Sequence, residues 1–319
     1  MPNPRVCIIL LNYNRAQDTI ECLNSLRQCV YDQFHVFVVD NASIDQSAEK
    51  LRQEFPDLEI VSTGRNLGYT GGINFGIRHA LQSPFEYILI LNNDTLVTPD
   101  FLNHLVAAIV QHPNAAAACG TIYCEHERKQ IWYAGGRLLQ WRGMAMHEKK
   151  GLFIEPTALN GVRKVTFITG CLILLRASVL DQIGLEDERF FMYLDDIELS
   201  ARIRAKGRDL LYVPHSIIYH KVIDKENENY FKRIYPAAIE RQHAFKLYYS
   251  ARNRFLLIKT ALRGPQKLVA GVYFLSIISI KLLVWRLINP RFFKAAWFGL
   301  QDFRAGRFYE GRGLSEFTR

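Results

Sequence analysis

Between Val6 and His112 the chain switches repeatedly between two hydrophobic patterns. Short runs that are apolar at nearly every position, such as VCIILLNY, FHVFVVD and YILILN, fit strands buried on both faces; LEIVST fits a further strand. Between them lie longer stretches with apolar residues three and four apart. In AQDTIECLNSLRQC these are Ile20, Leu23 and Leu26, the stripe of an amphipathic helix. SIDQSAEKLRQEF is a second helical stretch, and Ser43 followed three residues later by Gln46 predicts a capping box at its start. GYTGGINFGIRHALQS opens on a glycine-rich turn and continues as a helix. PDFLNHLVAAIVQH comes next, with Pro99 suited to a first helical turn. This alternation predicts an α/β fold with a mostly parallel central sheet flanked by helices. Ligands of such sheets sit at the carboxyl ends of the strands. Here those ends are Asn12–Tyr13, Asp40–Asn41, residues 64–72 and Asn92–Asp94, all polar or glycine-rich, and they are expected to rim one cleft.

Further on the pattern loosens. Residues 131–151 mix glycines with aromatics. VTFITGCLILLRASVLDQIG predicts a strand, a tight turn at Gly170, a second strand and a helix. FFMYLDDIELSARIRAKG predicts a loop that enters a helix ending near Gly207. DLLYVPHSIIYHKV predicts a strand that carries His215 and His220. Past Asp224 the segments become long, helical, basic and aromatic. The expected organisation is a nucleotide-binding domain over 1–225 and a basic helical region over 226–319. The opening MPNPRVCIILLNYNR has an apolar run that soon meets Asn12 and Asn14, which reads as a first strand and not as a signal peptide.

Composition narrows the class. At 319 residues, 49% hydrophobic and 22% charged, the chain can form one large α/β domain with an appendage. Its six cysteines are scattered without a CxxC pair, against a disulfide framework or a zinc site and in keeping with a reducing, cytoplasmic setting. The net charge of +9 is unevenly spread: residues 1–200 carry 17 basic and 23 acidic side chains, residues 201–319 carry 23 and 8. No acidic residue lies between Arg241 and Gln301. Such a region seeks an anionic partner.

Each polar cluster has a plain and a chemical reading. Asn92–Asn93–Asp94 suits a turn after a strand. It equally suits a hard cation on a diphosphate, since Mg²⁺ takes one or two carboxylates and substrate oxygens. Asp40 suits a strand-to-helix turn, or a carboxylate accepting from a nucleotide base or ribose. GRNLGYTGGINFGI is neither GxGxxG nor a P-loop, but its helix N-terminus can face an anion. Asp195 with Glu198 has capping-box spacing, which puts Asp196 in the first turn, stabilised by the helix dipole or serving as a general base. Arg202 pairs most simply with Glu198. His215 reads as structural; His220 can be structural or a nitrogen ligand to a cation.

Taken in order, ILLNYNR (9–15), VVDNASIDQS (38–47), NLGYTGGINFGI (66–77), LILNNDTLV (89–97), GCLILLRASVL (170–180), FFMYLDDIELSARIRAKG (190–207) and YHK (219–221) resemble the family 2 glycosyltransferases of GT-A fold. The nearest subgroup is the rhamnosyltransferase-like enzymes of bacterial polysaccharide assembly. The resemblance implies that Asn12 and Tyr13 shape the floor of a nucleotide site, that Asp40 contacts base or ribose, and that Asn66 and Gly72 line the pocket. Asn92, Asn93 and Asp94 stand at the family's DXD motif, with Asp94 on Mg²⁺ or Mn²⁺. Asp196 matches the catalytic carboxylate, and His220 a histidine that in some members approaches the metal. One departure is that Asn92 replaces the first Asp of the motif. The implied donor is a nucleotide-diphospho-sugar such as dTDP-rhamnose, and the implied acceptor a hydroxyl of a glycan or lipid-linked glycan, attacked with inversion.

The basic region has its own expectation. Leu268–Ile280 carries no charge, and Lys281 and Arg286 interrupt its apolar continuation, so the segment falls short of a membrane span. An interfacial helix on an anionic membrane surface fits, as does a helical cap or a homo-oligomer contact. The membrane reading makes the protein peripheral on the inner face of the cell membrane. Nucleic acid is not expected, because no recognised binding motif is present. Two rival functions are a nucleotidyltransferase, which would want a glycine-rich activating loop where LLNYNRAQDT has none, and a non-catalytic membrane- or anion-binding protein, which leaves Asp40, Asp94 and Asp196 without a role.

Overall fold

The computed structural model describes residues 3–221 and 237–312. These fall into two compact units, one within 1–137, 146–186 and 199–222, the other within 138–145, 187–198 and 223–319. The single boundary expected near residue 225 lies outside the described residues. Two earlier stretches, 138–145 and 187–198, group with the C-terminal helices, so the division is not one cut along the chain.

The first unit begins as the hydrophobic pattern predicts. β1 (Val6–Asn12), α1 (Ala16–Leu26), β2 (Phe34–Asp40), α2 (Ser47–Glu54), β3 (Glu59–Ser62), α3 (Gly68–Ala80) and β4 (Tyr87–Asn92) alternate. The four strands are parallel, in the order β4-β1-β2-β3. There follow β5 (Thr95–Val97), α4 (Phe101–Gln111), β6 (Ala115–Cys124), β7 (Ile131–Tyr133), the paired β8 (Gly136–Leu139) and β9 (Met144–His147), then β10 (Arg163–Val165), β11 (Leu172–Arg176), α5 (Leu180–Ile183), α6 (Asp195–Ala205) and β12 (Asp209–His220). β11 lies antiparallel between β4 and β6, while β12 runs parallel to β6 and antiparallel to β5 and β10. The sheet is therefore parallel on its N-terminal side and mixed beyond it. The chain reaches β11 after a long excursion through β6–β10, with no direct crossover helix to impose parallel entry.

Close packing explains much of the glycine usage. A Cβ at Gly72 would lie 2.5 Å from Leu11 Cδ1, and one at Gly76 2.7 Å from Ile9 Cγ2, so α3 presses onto β1 through its glycines. Gly120 of β6 faces the register shift of β12 between Val213 and Ile217, where a Cβ would stand 2.2 Å from the Ser216 carbonyl oxygen.

Two helix starts differ from expectation. α2 begins at Ser47, not Ser43; Gln46 is left-handed at φ 62°, and Asp45 Oδ1 accepts from Ser47 N at 3.0 Å. The Ser43 hydroxyl is engaged elsewhere, so no capping box forms. Pro99 precedes α4, whose cap position is Asp100.

The second unit is built on α7 (Ala237–Ala261), α8 (Gly264–Ile288) and α9 (Pro290–Arg304). Tyr248, Tyr249, Trp285, Phe292, Ala295 and Ala296 form its core, together with Phe191. α8 is one unbroken helix of 25 residues, long and apolar enough by length and composition to cross a membrane. Lys281 and Arg286 lie within it, and Lys281 Nζ stands over the Trp285 ring at 5.8 Å. Ala270, Ile278, Leu282 and Trp285 are buried, whereas Leu268, Val272, Leu275, Leu283 and Leu287 are exposed. Several cations of this region are engaged internally: Arg254 Nη1 donates to the Gly143 carbonyl, and Asp302 binds Arg307 and Arg312.

Candidate active site

The parallel register sets the polar strand ends side by side. Asn12 of β1 pairs with Asp40 of β2, and Leu11 with Asn92 of β4. Asn12 is fully buried and holds Asp40. Its Nδ2 donates to Asp40 Oδ1 at 3.1 Å and to Ser43 Oγ at 3.0 Å, and Ser43 N donates to Asp40 Oδ2 at 3.2 Å. Thr19 Oγ1 donates to Asn12 Oδ1 at 2.9 Å and accepts from Asn93 Nδ2 at 2.8 Å. One network thus fixes Asn12, Asp40 and Asn93 through Thr19 and Ser43, and a satisfied buried network of this kind is rigid. Asp40 is 4% exposed, while Tyr13 stands at 42% on the rim.

Asn66 joins a second network. Its Oδ1 accepts from Gly68 N at 2.8 Å, at the start of α3, and from Asn41 Nδ2 at 3.1 Å. Asn41 Oδ1 in turn accepts from Leu67 N at 2.9 Å. Asn66 and Asn41 therefore shape the turn into α3, and Gly72 is accounted for by the packing of that helix on Leu11. The role of Thr19 escaped sequence reasoning, as did the contacts of Asn41 and Ser43 with Asn66 and Asn12, 25 and 31 residues away.

The third group is Asp94 with His220. β5 pairs antiparallel with β12, His220 opposite Thr95, which brings the histidine beside Asp94. His220 Nε2 is 3.2 Å from Asp94 Oδ1, an ion-pair separation. That Asp94 oxygen is buried and accepts no hydrogen bond, and His220 Nδ1 is buried without a partner. Burial alone would raise the Asp94 carboxyl; the His220 imidazole outweighs it and holds the group below the usual carboxylate range. Trp132 packs edge-on against His220 with ring centroids 4.7 Å apart. Lys221 N donates to the Asp94 carbonyl at 3.0 Å, and its Nζ bridges Asp18 and Glu21 of α1. The buried Asp94 oxygen, with an imidazole 3.2 Å from it, fits one side of a divalent cation. Among the described residues no third His, Cys, Asp or Glu joins them, so the other positions would fall to diphosphate oxygens and water. The Asn92 carboxamide makes no hydrogen bond to the described residues.

Asp195 and Asp196 belong to the second unit. Both lie inside α6, which corrects the expected cap at Asp195. The Leu194 carbonyl accepts the first helical bond from Glu198 N at 3.1 Å, so a leucine at φ 67° holds the cap position. Asp196 Oδ1 accepts from Ile197 N at 2.8 Å. Burial, and then the Asp196 charge, push the Asp195 carboxyl up to about 8. Arg202 donates to the Ile183 carbonyl.

The parallel half of the sheet, with its acidic and amide-rich carboxyl edge, has the place where open α/β sheets bind ligands, and comparison gives the class. Residues 7–184 match the model of glycosyl transferase family 2. The chain belongs to this family and is an inverting glycosyltransferase of GT-A-like fold that uses nucleotide-sugar donors. It is rhamnosyltransferase-like. It is 25% identical over 244 residues to the N-acetylglucosaminyl-diphospho-decaprenol L-rhamnosyltransferase of Mycobacterium tuberculosis, covering 67% of this chain and 75% of that one. It is 23% identical over 257 residues to the dTDP-rhamnosyl transferase RfbF of Shigella flexneri, covering 81% of each. Among solved structures, a mannosyltransferase from Pyrobaculum calidifontis in complex with GDP-Man and Mn²⁺ superposes with a TM-score of 0.54 at 20% identity. That match spans 95% of this chain and 76% of the other, and it shows the fold. The family sets aside the nucleotidyltransferase and the non-catalytic readings.

Proposed function

We propose that the protein transfers rhamnose from dTDP-rhamnose to a lipid-linked glycan of the N-acetylglucosaminyl-diphospho-polyprenol kind, with Asp196 as general base. The observation that carries this reading is the buried Asp94–His220 pair on the same sheet edge as the buttressed Asp40. Asp40 would accept from the base or ribose hydroxyls, and its rigid hold by Asn12 and Ser43 suits a fixed nucleotide orientation. Asn66 and Tyr13 would border that nucleotide, with Asn92 and Asn93 beside the diphosphate. Asp94 and His220 would hold Mg²⁺ or Mn²⁺. When bound, such a cation neutralises charge on the departing diphosphate. Asp196 would take the proton from the acceptor hydroxyl as it attacks the anomeric carbon from the face opposite the leaving group. The rhamnosyl names of the relatives support the donor, and the decaprenol-linked substrate of one supports the acceptor.

A lipid-linked acceptor calls for an enzyme at a membrane. The exposed apolar side chains of α8, with Arg263, Lys267 and Arg286 close by, support docking on an anionic leaflet.

A screen of nucleotide-sugars for cation-dependent thermal stabilisation tests the donor. Asp196→Asn is expected to lose transfer by about a thousandfold or more while donor affinity stays within about twofold. Wild-type turnover by this variant would remove Asp196 from the chemistry.

A further inference from the structure

The turn that leads into Asp195 is made of backbone conformations that L-residues rarely adopt. Phe191 sits at φ 62° and ψ −52°, and Met192 N donates to the Phe190 carbonyl at 2.7 Å, a γ-turn of the strained, positive-φ kind. Tyr193 at φ 68° and Leu194 at φ 67° continue it in the left-handed region. None of these residues is glycine. Such geometry persists only where its surroundings over-determine it, and it clusters at functional sites.

The surroundings here are two adjacent side chains of α7. Asn253 Nδ2 donates to the carbonyls of Phe190 at 2.9 Å, Met192 at 2.8 Å and Tyr193 at 2.9 Å. Arg252 Nη2 donates to those of Arg189 at 3.1 Å and Phe190 at 2.9 Å, and its Nη1 to that of Tyr309 at 2.9 Å. Arg252 Nε donates to Asn253 Oδ1 at 2.9 Å, so the two side chains orient each other. Both are fully buried. The Phe191 ring stacks on Tyr249, one turn earlier on α7, with centroids 5.4 Å apart. A buried guanidinium aimed at carbonyls is expensive in desolvation, and ordinary helix packing does not call for it. What it holds is the turn whose last residue, Leu194, starts α6 two positions before Asp196.

We infer that Arg252 and Asn253 are positioning residues for sugar transfer, clamping the strained 190–194 turn so that the first turn of α6 presents Asp196 in one orientation. The inference rests on the reading of Asp196 as general base. It gives α7 a part in the chemistry that its basic sequence does not suggest.

The test compares Asn253→Ala, Asn253→Ala/Leu194→Gly, Phe292→Ala and Asp196→Asn in the full chain, with dTDP-rhamnose as donor and an N-acetylglucosaminyl-diphospho-polyprenol as acceptor. Phe292 belongs to the same core but offers the turn no hydrogen-bond donor. Asn253→Ala is expected to lower kcat about tenfold or more with donor KM within about twofold. It should also speed hydrogen exchange over 189–196 ahead of the rest of the second unit. Phe292→Ala, with a similar fall in Tm, should leave kcat within about twofold. Glycine adopts the left-handed region unaided, so the double variant should regain a substantial part of the lost turnover. If the alanine variant does not fold, Asn253→Ser, which keeps one donor, carries the same measurements. Unchanged kcat and exchange in the Asn253 variant, a kcat loss matched by Phe292→Ala, or no recovery with glycine overturns the clamp. Wild-type kcat in Asp196→Asn overturns the base assignment instead, and an inactive Asp196→Asn beside a fully active Asn253→Ala overturns the clamp alone.

Discussion

At the scale of single residues, the polar positions along the strand ends divide into those that can meet a ligand and those that hold the others still. Asp40, Asp94 and His220 are the residues that the proposed function assigns to a ligand; Asn12 is buried against Asp40, and Asn66 shapes a helix entry. Residue type and position at the strand ends single out the first group in the sequence. The second could not be told from it, because burial and partners depend on neighbours 25 or more residues away. Ser43 shows why: a cap by local spacing, it serves Asn12 and Asn14 in the fold. Asp195 gives the prediction of this scale. Its carboxyl is raised to about 8, first by burial and then by Asp196, whereas in the unfolded chain it ionises near pH 3.9. Between these values the native state keeps a proton that the unfolded state has lost. Its contribution to stability therefore falls as pH rises through this window and stays lost above it. Asp195→Asn is neutral and isosteric throughout. Its Tm should exceed that of the wild type by more at pH 8 than at pH 5; an equal difference at both would contradict the assignment.

Among elements, the first four strands and α1 and α3 follow from hydrophobic period alone, since a strand buried on both faces leaves little else for a run such as VCIILLN to do. The antiparallel placement of β11 was not legible, because periodicity carries no strand direction. In α8, Lys281 and Arg286 interrupt the apolar run, yet both are good helix formers and the helix continues through them. The exposed leucines of this helix carry the membrane proposal. In flotation with vesicles containing anionic lipid, Leu275→Glu/Leu283→Glu should reduce bound protein by roughly tenfold or more, given ~2 kcal/mol for each leucine withdrawn from the interface. Transfer to a soluble acceptor analogue should be unaffected. Equal flotation of variant and wild type would remove α8 from membrane contact.

For the whole molecule, the strongest sequence signal beyond the motifs was the basic C-terminal third, read as a surface for an anionic partner. The structure divides that charge. Arg252, Arg254, Arg307 and Arg312 bind carbonyls or Asp302 within the second unit, while Lys267 and Arg286 lie on α8 itself. The grouping of 138–145 and 187–198 with the C-terminal helices was invisible along the chain, because it depends on contacts such as Asn253 with Phe190, 63 residues apart. The family, its fold and its use of nucleotide-sugars follow from residues 7–184. The central claim is that the protein binds its donor through a cation held by Asp94 and His220. Calorimetry of dTDP-rhamnose binding with and without Mn²⁺, to the wild type and to Asp94→Ala, addresses it most directly. The account predicts cation-dependent binding by the wild type and affinity weakened about tenfold or more by the substitution. The same affinity for both proteins in saturating Mn²⁺ would contradict it.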